Sequence, residues 1–270
     1  MLRLFCLFTL FFVASAQAEV RVLTSIKPLQ LIAAAVQDGI GEPEVLLPPG
    51  ASPHHYALRP SDVRRVRDAD LLYWIGPDME AFLPRVLGSR EKPQVAVQDL
   101  PGMTLRHFGE SHEEDDHDDH DHEHAHAGDD LGHDHDHRPG SLDAHLWLAA
   151  DNAKVIAARM AADLAKLDTA NAGRYAANLK AFEARLDVLD GRIRPQLAAL
   201  QGKPYFVFHE AFDYFEAAYG LKHAGVFSVL TEVQPGARHV AAMRERLQQA
   251  GPSCVFSEPP LRPRLAETLT

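Results

Sequence analysis

The chain has 270 residues, 46% of them hydrophobic, which is enough to build one large domain or two smaller ones around buried cores. Its formal net charge of −11 arises from residues 112–137, where nine histidines and twelve acidic residues occur without a lysine or arginine. Because the remainder is close to neutral, the composition gives no indication of a nucleic-acid-binding protein.

The first residues predict an export signal. Residues 1–18 combine Arg3, an apolar run and the small-x-small end Ala16-Gln17-Ala18, at which signal peptidases cleave. The run is too short to span the ~30 Å hydrocarbon core of a membrane, and the bulky Phe5 before Cys6 is atypical of a lipoprotein. We therefore expect residues 1–18 to be removed and the mature chain to be exported.

From residue 19 to residue 100, short apolar runs alternate with helical patterns. The apolar runs predict strands within 19–26, 42–50, 70–76 and 93–100. The patterns between them predict helices within 28–41, 61–69 and 79–89, the second with Ser61 as its N-cap. Alternation of this kind favours a parallel α/β sheet.

The His- and acid-rich segment, residues 110–138, interrupts this alternation. It cannot bury enough apolar surface to offset its ordering entropy, so we expect it to be disordered without metal. Beyond it, the pattern predicts a helix capped near Asp151 and a second from about Asn171 to Leu200. At ~1.5 Å per residue the second helix would approach 45 Å, enough to connect two domains.

Strand and helix patterns resume after this long helix. Strands are predicted before His209 and within 223–230 and 253–259, with helices after His209 and within 237–251. The final residues predict a helix that has scarcely begun, so we expect the natural chain to continue past Thr270. The predicted organisation is an N-terminal α/β lobe (19–168), a linking helix (169–200) and a C-terminal α/β lobe (201–270).

Three histidines outside the acid-rich segment lie at the ends of predicted elements. His54 follows a Pro/Gly turn after a strand, His145 precedes an apolar LWLA run, and His209 ends the strand YFVF. Ligands of open α/β sheets bind outside the carboxyl ends of the strands, and imidazole is a common zinc ligand. We expect these three side chains to converge between the lobes, although any one alone is better explained as a polar residue at the edge of a loop.

The remaining histidines carry weaker expectations. His107 borders the acid-rich segment, His223 lies in a loop or at a strand start, and His239 lies in a polar helix. We expect these three to be ordinary polar residues.

The segments around the three histidines resemble a known family. Residues 50–83 (GASPHHYALRP…MEAFL), DAHLWL at 143–148 and YFVFHEAFDYFE at 205–216 are similar, in this order, to the ligand segments of zinc-specific periplasmic binding proteins of ABC importers (ZnuA-type, cluster A-I). A His- and acid-rich loop between the first two ligand segments is also common in the zinc-specific branch of this family. The resemblance spans essentially the whole mature chain.

The resemblance implies the fold, the cargo and the partners. It implies two α/β lobes with mainly parallel sheets joined by a long helix, and Zn2+ held in the cleft by His54, His145 and His209. It further implies a periplasmic monomer that delivers zinc to an ABC importer membrane permease. His209 favours zinc over manganese, because the manganese branch usually carries a carboxylate at this third position and oxygen donors suit manganese.

Two departures from the family pattern leave the fourth ligand open. Pro53 stands where some relatives carry an acidic residue, and others take a ligand or a disulfide from the end of the second lobe. The fourth position is thus water or a carboxylate missing from this chain. Glu210 and Glu258 are weaker local candidates, better explained as residues that support a ligand or as polar residues at strand ends. By the same resemblance, Cys254 would pair with a cysteine beyond Thr270.

Other readings of the sequence stay open at this point. The chain could be a zinc buffer or chaperone acting through the loop, a manganese-binding transport protein of the same fold, or, less favoured, a zinc hydrolase. HEAFD at 209–213 lacks the second histidine of HExxH, and the chain contains neither a GxSxG elbow nor a P-loop, so we expect no enzyme. The loop could also be only a solvated acidic spacer.

We expect the loop to be an accessory, low-affinity zinc collector. Its many interchangeable donors carry an ordering cost that preorganised imidazoles avoid. The possible accessory ligands in the loop are His112, His117, His120, His122, His124, His126, His133, His135 and His137.

Overall fold

The computed structural model describes residues 19–109, 140–228 and 237–257. The predicted signal (1–18), the nine loop histidines and Glu258 lie outside the described residues, as does the predicted helix start before Thr270. Every helix within the three described ranges is too short or too polar to cross a lipid bilayer.

The first half of the molecule is built on a four-stranded parallel sheet. Its strands are β1 (Val22–Thr24), β2 (Glu44–Val45), β3 (Leu71–Trp74) and β4 (Gln94–Ala96), in the order β2-β1-β3-β4. All four residues of β3 are buried, as expected for a central strand of a parallel sheet with both faces covered. The predicted alternation and the parallel sheet are confirmed.

Three helices connect the strands of this sheet: α1 (Lys27–Val36), α2 (Pro60–Asp68) and α3 (Pro84–Leu87). The prediction that Ser61 caps α2 is wrong, because the helix begins one residue earlier. Pro60 supplies a helical φ at the first position, and the Asp62 carboxylate accepts a hydrogen bond of 2.9 Å from the backbone N–H of Arg59.

Two long helices follow, α4 (Ala150–Leu167) and α5 (Ala172–Ala198). Asp151 lies in the first turn of α4 and does not cap it, since Ala149 occupies the N-cap. At 27 residues, α5 is about 40 Å long. The Asn178 side chain donates to the carbonyl of Val36 in the first half, and Arg194 donates to the carbonyl of Ala218 in the second. Helix α5 therefore contacts both halves.

The second half contains a three-stranded parallel sheet in the order β6-β5-β7. Its strands are β5 (Tyr205–His209), β6 (Gly225–Ser228) and β7 (Cys254–Phe256), with helices α6 (Asp213–Tyr219) and α7 (Ala237–Ala250). Gly220 ends α6 at φ +66°, a left-handed conformation that favours glycine. Cys254 is an exposed free thiol among the described residues, so its disulfide stays a prediction.

Two groups of buried apolar residues hold these sheets. The larger surrounds the first sheet and includes residues of β1, β3, α1 and α4. The smaller lies beside β5 and comprises Phe206, Phe208, Phe227, Met243 and Leu247. Tyr214 of α6 belongs to the larger group, so the second half is anchored to the core of the first.

Candidate metal centre

His209 is the last residue of β5, the buried central strand of the second sheet. The residues before it in β5 are all buried, and the chain leaves the strand for α6 just after it. His209 therefore stands at the carboxyl edge of the sheet, with its side chain buried.

His54 is positioned by a tight turn after β2. The backbone N–H of Ala51 donates to the carbonyl of Pro48 at 3.1 Å, and Gly50 adopts φ +83°, which glycine tolerates best. The backbone N–H of His54 then donates to the Ser52 hydroxyl at 3.3 Å. These contacts fix the chain just ahead of the buried His54 side chain.

His145 is held by the aspartate two residues before it. Oδ1 of the fully buried Asp143 accepts hydrogen bonds from Nδ1 of His145 at 2.7 Å and from its backbone N–H at 3.0 Å. A proton on Nδ1 leaves Nε2 with its lone pair for a metal, the arrangement that commonly orients metal-binding histidines. Burial raises the pKa of Asp143 to about 6, although the hydrogen bond from His145 and nearby His209 lower it.

These three histidines converge in the fold. The ring centroids of His54 and His145 are 5.5 Å apart, those of His54 and His209 5.6 Å, and those of His145 and His209 5.0 Å. One ring nitrogen from each lies within 4.8 Å of the others. Nitrogens bound to a tetrahedral zinc ion stand roughly 3.4 Å apart, so small rotations of the rings would suffice to close the site.

A buried glutamate, Glu80, lies close to this cluster. Its carboxylate accepts hydrogen bonds from the backbone N–H groups of Ile75 at 3.3 Å and Gly76 at 3.1 Å, just beyond β3. Complete burial raises its pKa to about 7, although these hydrogen bonds and the nearby His54 lower it. Glu80 thus fixes the turn at the end of β3 beside the histidines.

Comparison with known proteins assigns the chain to a family. Residues 22–270 match the model of ZnuA, the periplasmic component A of a zinc-uptake complex. The chain belongs to this family. It is 44% identical to the high-affinity zinc uptake system protein ZnuA of Yersinia pestis over 248 residues, which cover 91% of this chain and 77% of that protein. The ZnuA protein of Brucella abortus is 38% identical over 265 residues, covering 92% and 79%.

Solved structures have the same fold. A crystal structure of ZnuA superposes with a TM-score of 0.74 at 22% identity, covering 93% of this chain and 87% of that one. The AdcAII protein of Streptococcus pneumoniae gives a TM-score of 0.71 at 19% identity, covering 93% and 84%. The predicted ZnuA-type resemblance and the predicted α/β fold with parallel sheets and a long helix are therefore confirmed.

The other predicted site residues lie elsewhere in this ZnuA-family fold or outside its described part. Glu210, predicted to support a ligand, is grouped with Asp213 and His223, and burial together with the charge of Asp213 raises its pKa to about 7. His107 pairs with Leu142 in an antiparallel bridge. Glu258 and the loop histidines fall outside the described residues, so their roles stay predictions.

Sequence reasoning missed several residues that support the centre. Asp143 had a usable signal, because an acidic residue two positions before a candidate ligand can accept from its ring. Glu80 had none, since its relation to His54 exists only after β3 and the turn after β2 are brought together. His223 was expected to be an ordinary polar residue, but a nitrogen of its ring lies within 4.8 Å of two carboxylates in the second half.

Proposed function

We propose that this protein is a periplasmic solute-binding protein that captures Zn2+ with His54, His145 and His209 and delivers it to an ABC importer permease. The single observation that carries the proposal is the convergence of three buried imidazoles from both halves of the molecule. Zinc is the cargo of this site, and the protein returns to the same state after each delivery.

The donor set favours zinc over manganese. All three donors are imidazole nitrogens, which suit zinc, whereas manganese prefers carboxylate and carbonyl oxygens. Three protein ligands leave one position of a tetrahedral zinc ion for water. Exchange of that water would let an incoming ligand bind zinc before the bonds to the three histidines break.

The split of the ligands between the two halves supplies a second route for release. His54 and His145 belong to the half before α5, and His209 belongs to the half after it. A small separation of the halves would remove one of three ligands. Capture, in contrast, would need little reorganisation, because Asp143 already holds His145 in the metal-binding tautomer.

Two other functions find less support. A zinc hydrolase would need a general base and an activated water, and the sequence lacks the HExxH pairing that supplies them in metalloproteases. The family is a transport component, which also argues against catalysis. A buffer that acts only through the loop would leave the convergence of the three histidines without a purpose.

A chelator-competition zinc titration tests the proposal. The mature protein lacking residues 110–138 is compared with the same protein carrying His54→Ala, His145→Ala and His209→Ala together. We expect one tight site in the first and none in the second. His209→Ala alone should weaken binding by more than about 100-fold, since loss of an outer-shell partner already costs 10–100-fold.

His55→Ala serves as the matched control, because His55 is the exposed neighbour of His54. We expect its affinity to equal that of the parent. If deletion of the loop abolishes tight binding and the triple substitution has no further effect, the assignment is wrong and the protein is a loop-based zinc buffer.

A further inference from the structure

A second group of metal-binding side chains lies entirely within the second half. Glu210 follows the last residue of β5, Asp213 is the first residue of α6, and His223 lies in the turn before β6. One ligand atom from each lies within 4.8 Å of the others, and all three residues are half-buried. The loop and helix that follow β5 thus bring two carboxylates and an imidazole to one place.

The imidazole of this group is oriented by a buried hydrogen-bond chain. Nδ1 of His223 donates to the Glu216 carboxylate, at 2.9 Å to Oε2 and 3.0 Å to Oε1. Oε1 of Glu216 also accepts a hydrogen bond of 2.7 Å from the Tyr205 hydroxyl, and the Glu216 side chain is buried. These hydrogen bonds keep the proton of His223 on Nδ1, so Nε2 is the ring nitrogen whose lone pair can bind a metal.

This arrangement parallels the one at the first centre. There, buried Asp143 accepts from Nδ1 of His145; here, buried Glu216 accepts from Nδ1 of His223. A carboxylate behind the imidazole is a recurrent feature of metal-binding histidines, because it fixes the ring and strengthens its basicity. A surface histidine that merely fills a loop has no need of such support.

The charge of the group also favours a cation. Glu210 and Asp213 are half-buried, with carboxylate oxygens within 4.8 Å of each other, so ionising both creates a repulsion that is less screened than in water. A bound dication would offset this repulsion and would be coordinated by both carboxylates and by Nε2 of His223.

We propose that Glu210, Asp213 and His223 form a second site for a divalent transition metal, Zn2+ above all, beside the three-histidine centre. Histidine and carboxylate together are ordinary zinc donors. With one nitrogen in place of three, the second site should bind zinc more weakly and discriminate less against Mn2+.

The second site differs from the first in its independence from the relative position of the halves. All three of its ligands follow α5 in the chain, so separation of the halves would leave it intact. Glu210 is also the immediate neighbour of His209 in the chain. The second site would therefore hold zinc next to the first centre whether or not that centre is closed. The proposal of a second site does not depend on whether the three histidines bind zinc.

Equilibrium dialysis with Zn2+ tests this inference on the full mature chain with the nine loop histidines replaced by serine. We expect two zinc ions per chain, one tightly bound and one weakly. His223→Ala should remove the weak one and keep the tight one. The triple substitution of His54, His145 and His209 should do the reverse, which separates failure of this proposal from failure of the proposed function.

Asp213→Asn is the conservative second variant, because it keeps the shape of the side chain but removes its charge. We expect it to weaken the second site by about 10-fold or more while circular dichroism stays unchanged. His107→Ala, a half-buried histidine outside both groups, is the control and should retain two zinc ions. A weak site that persists unchanged in both His223→Ala and Asp213→Asn, or a parent that binds only one zinc ion, would overturn the proposal.

Discussion

The half before α5 and the half after it contribute unequally to the core and to the metal centre. The first half has four strands, the larger buried group and two of the three histidines. The described part of the second half has three strands, a smaller buried group and the third histidine. The position of His209 relative to the other two ligands therefore depends on contacts between the halves more than on either core alone.

The largest contrast should appear when the same side chain is truncated in each core. Leu72 is fully buried in β3, and Leu247 is slightly exposed in the smaller group. We expect Leu72→Ala to lower the free energy of unfolding by about 3 kcal/mol and Leu247→Ala by about half as much, because the larger core leaves the larger cavity. Urea denaturation measures both, and equal losses would contradict the contrast between the halves.

The next effect concerns the support of His145 by the first half. Asp143→Ala removes the acceptor of Nδ1 and should reduce zinc affinity by about 10–100-fold, the usual result of losing such a partner. Chelator competition on the loop-deleted protein measures the change. Asp151→Ala, at an exposed aspartate of α4, is the control and should bind zinc as the parent does. An unchanged affinity in Asp143→Ala would mean that packing alone orients His145.

A smaller effect is expected at the contact between the halves. The Tyr214 hydroxyl of α6 donates to the carbonyl of Asp143 at 2.8 Å and accepts from the backbone N–H of Arg106 at 3.0 Å. Tyr214→Phe should lower the free energy of unfolding by about 1 kcal/mol. It should also weaken zinc binding severalfold, because the three ligands would be less firmly aligned.

Tyr175→Phe is the matched comparison for this change. The Tyr175 hydroxyl donates to Asp168 at 3.0 Å, at the junction of α4 and α5. We expect a similar loss of stability without a change in zinc affinity. If both tyrosine variants alter zinc binding alike, the contact between the halves has no special role in aligning the ligands.

A feature could be predicted from the sequence when the residues that encode it are close together in the chain. Buried strands such as Leu71–Trp74 and the histidines at strand ends are encoded in short runs of residues, so the first sheet and the convergence of His54 and His209 were foreseeable. The contacts that support the ligands, in contrast, form only in the tertiary structure. Tyr214 meets Asp143 across 71 positions, and nothing in the neighbourhood of either residue indicates the contact.

The second metal group shows the same limit at shorter range. Tyr205, Glu216 and His223 lie within 18 positions of one another, yet they meet only because α6 brings Glu216 next to the first residue of β5 and to the loop before β6. Periodicity identified both elements but not the angle between them. Asp213, which counted in the sequence only as the residue that breaks HExxH, is brought to the same place by the start of α6.

The smallest effect should come from an ion pair in the first half, at the edge of its sheet. Asp70 accepts from the backbone N–H of Arg21 at 3.0 Å and from Lys92 at 2.8 Å, which ties the chain next to β1, β3 and β4 together. Partial burial acts to raise the pKa of Asp70, but the hydrogen bonds from Lys92 and Arg21 outweigh it and lower the pKa to about 2.

The sign of the resulting pH dependence follows from that lowered pKa. The ionised form is favoured in the folded state, so its contribution is complete above the unfolded pKa of ~3.9 and is lost as the pH falls toward 2. Asp70→Asn should lower the free energy of unfolding at pH 7 by less than about 1 kcal/mol, because a third of the Asp70 side chain is exposed and solvent screens the pair. In urea denaturation, the difference from the parent should shrink as the pH is lowered from 4 toward 2, while zinc affinity at pH 7 stays unchanged. A change in zinc affinity would mean that this edge of the sheet is coupled to the metal centre, against the view that the contacts between the halves govern ligand alignment.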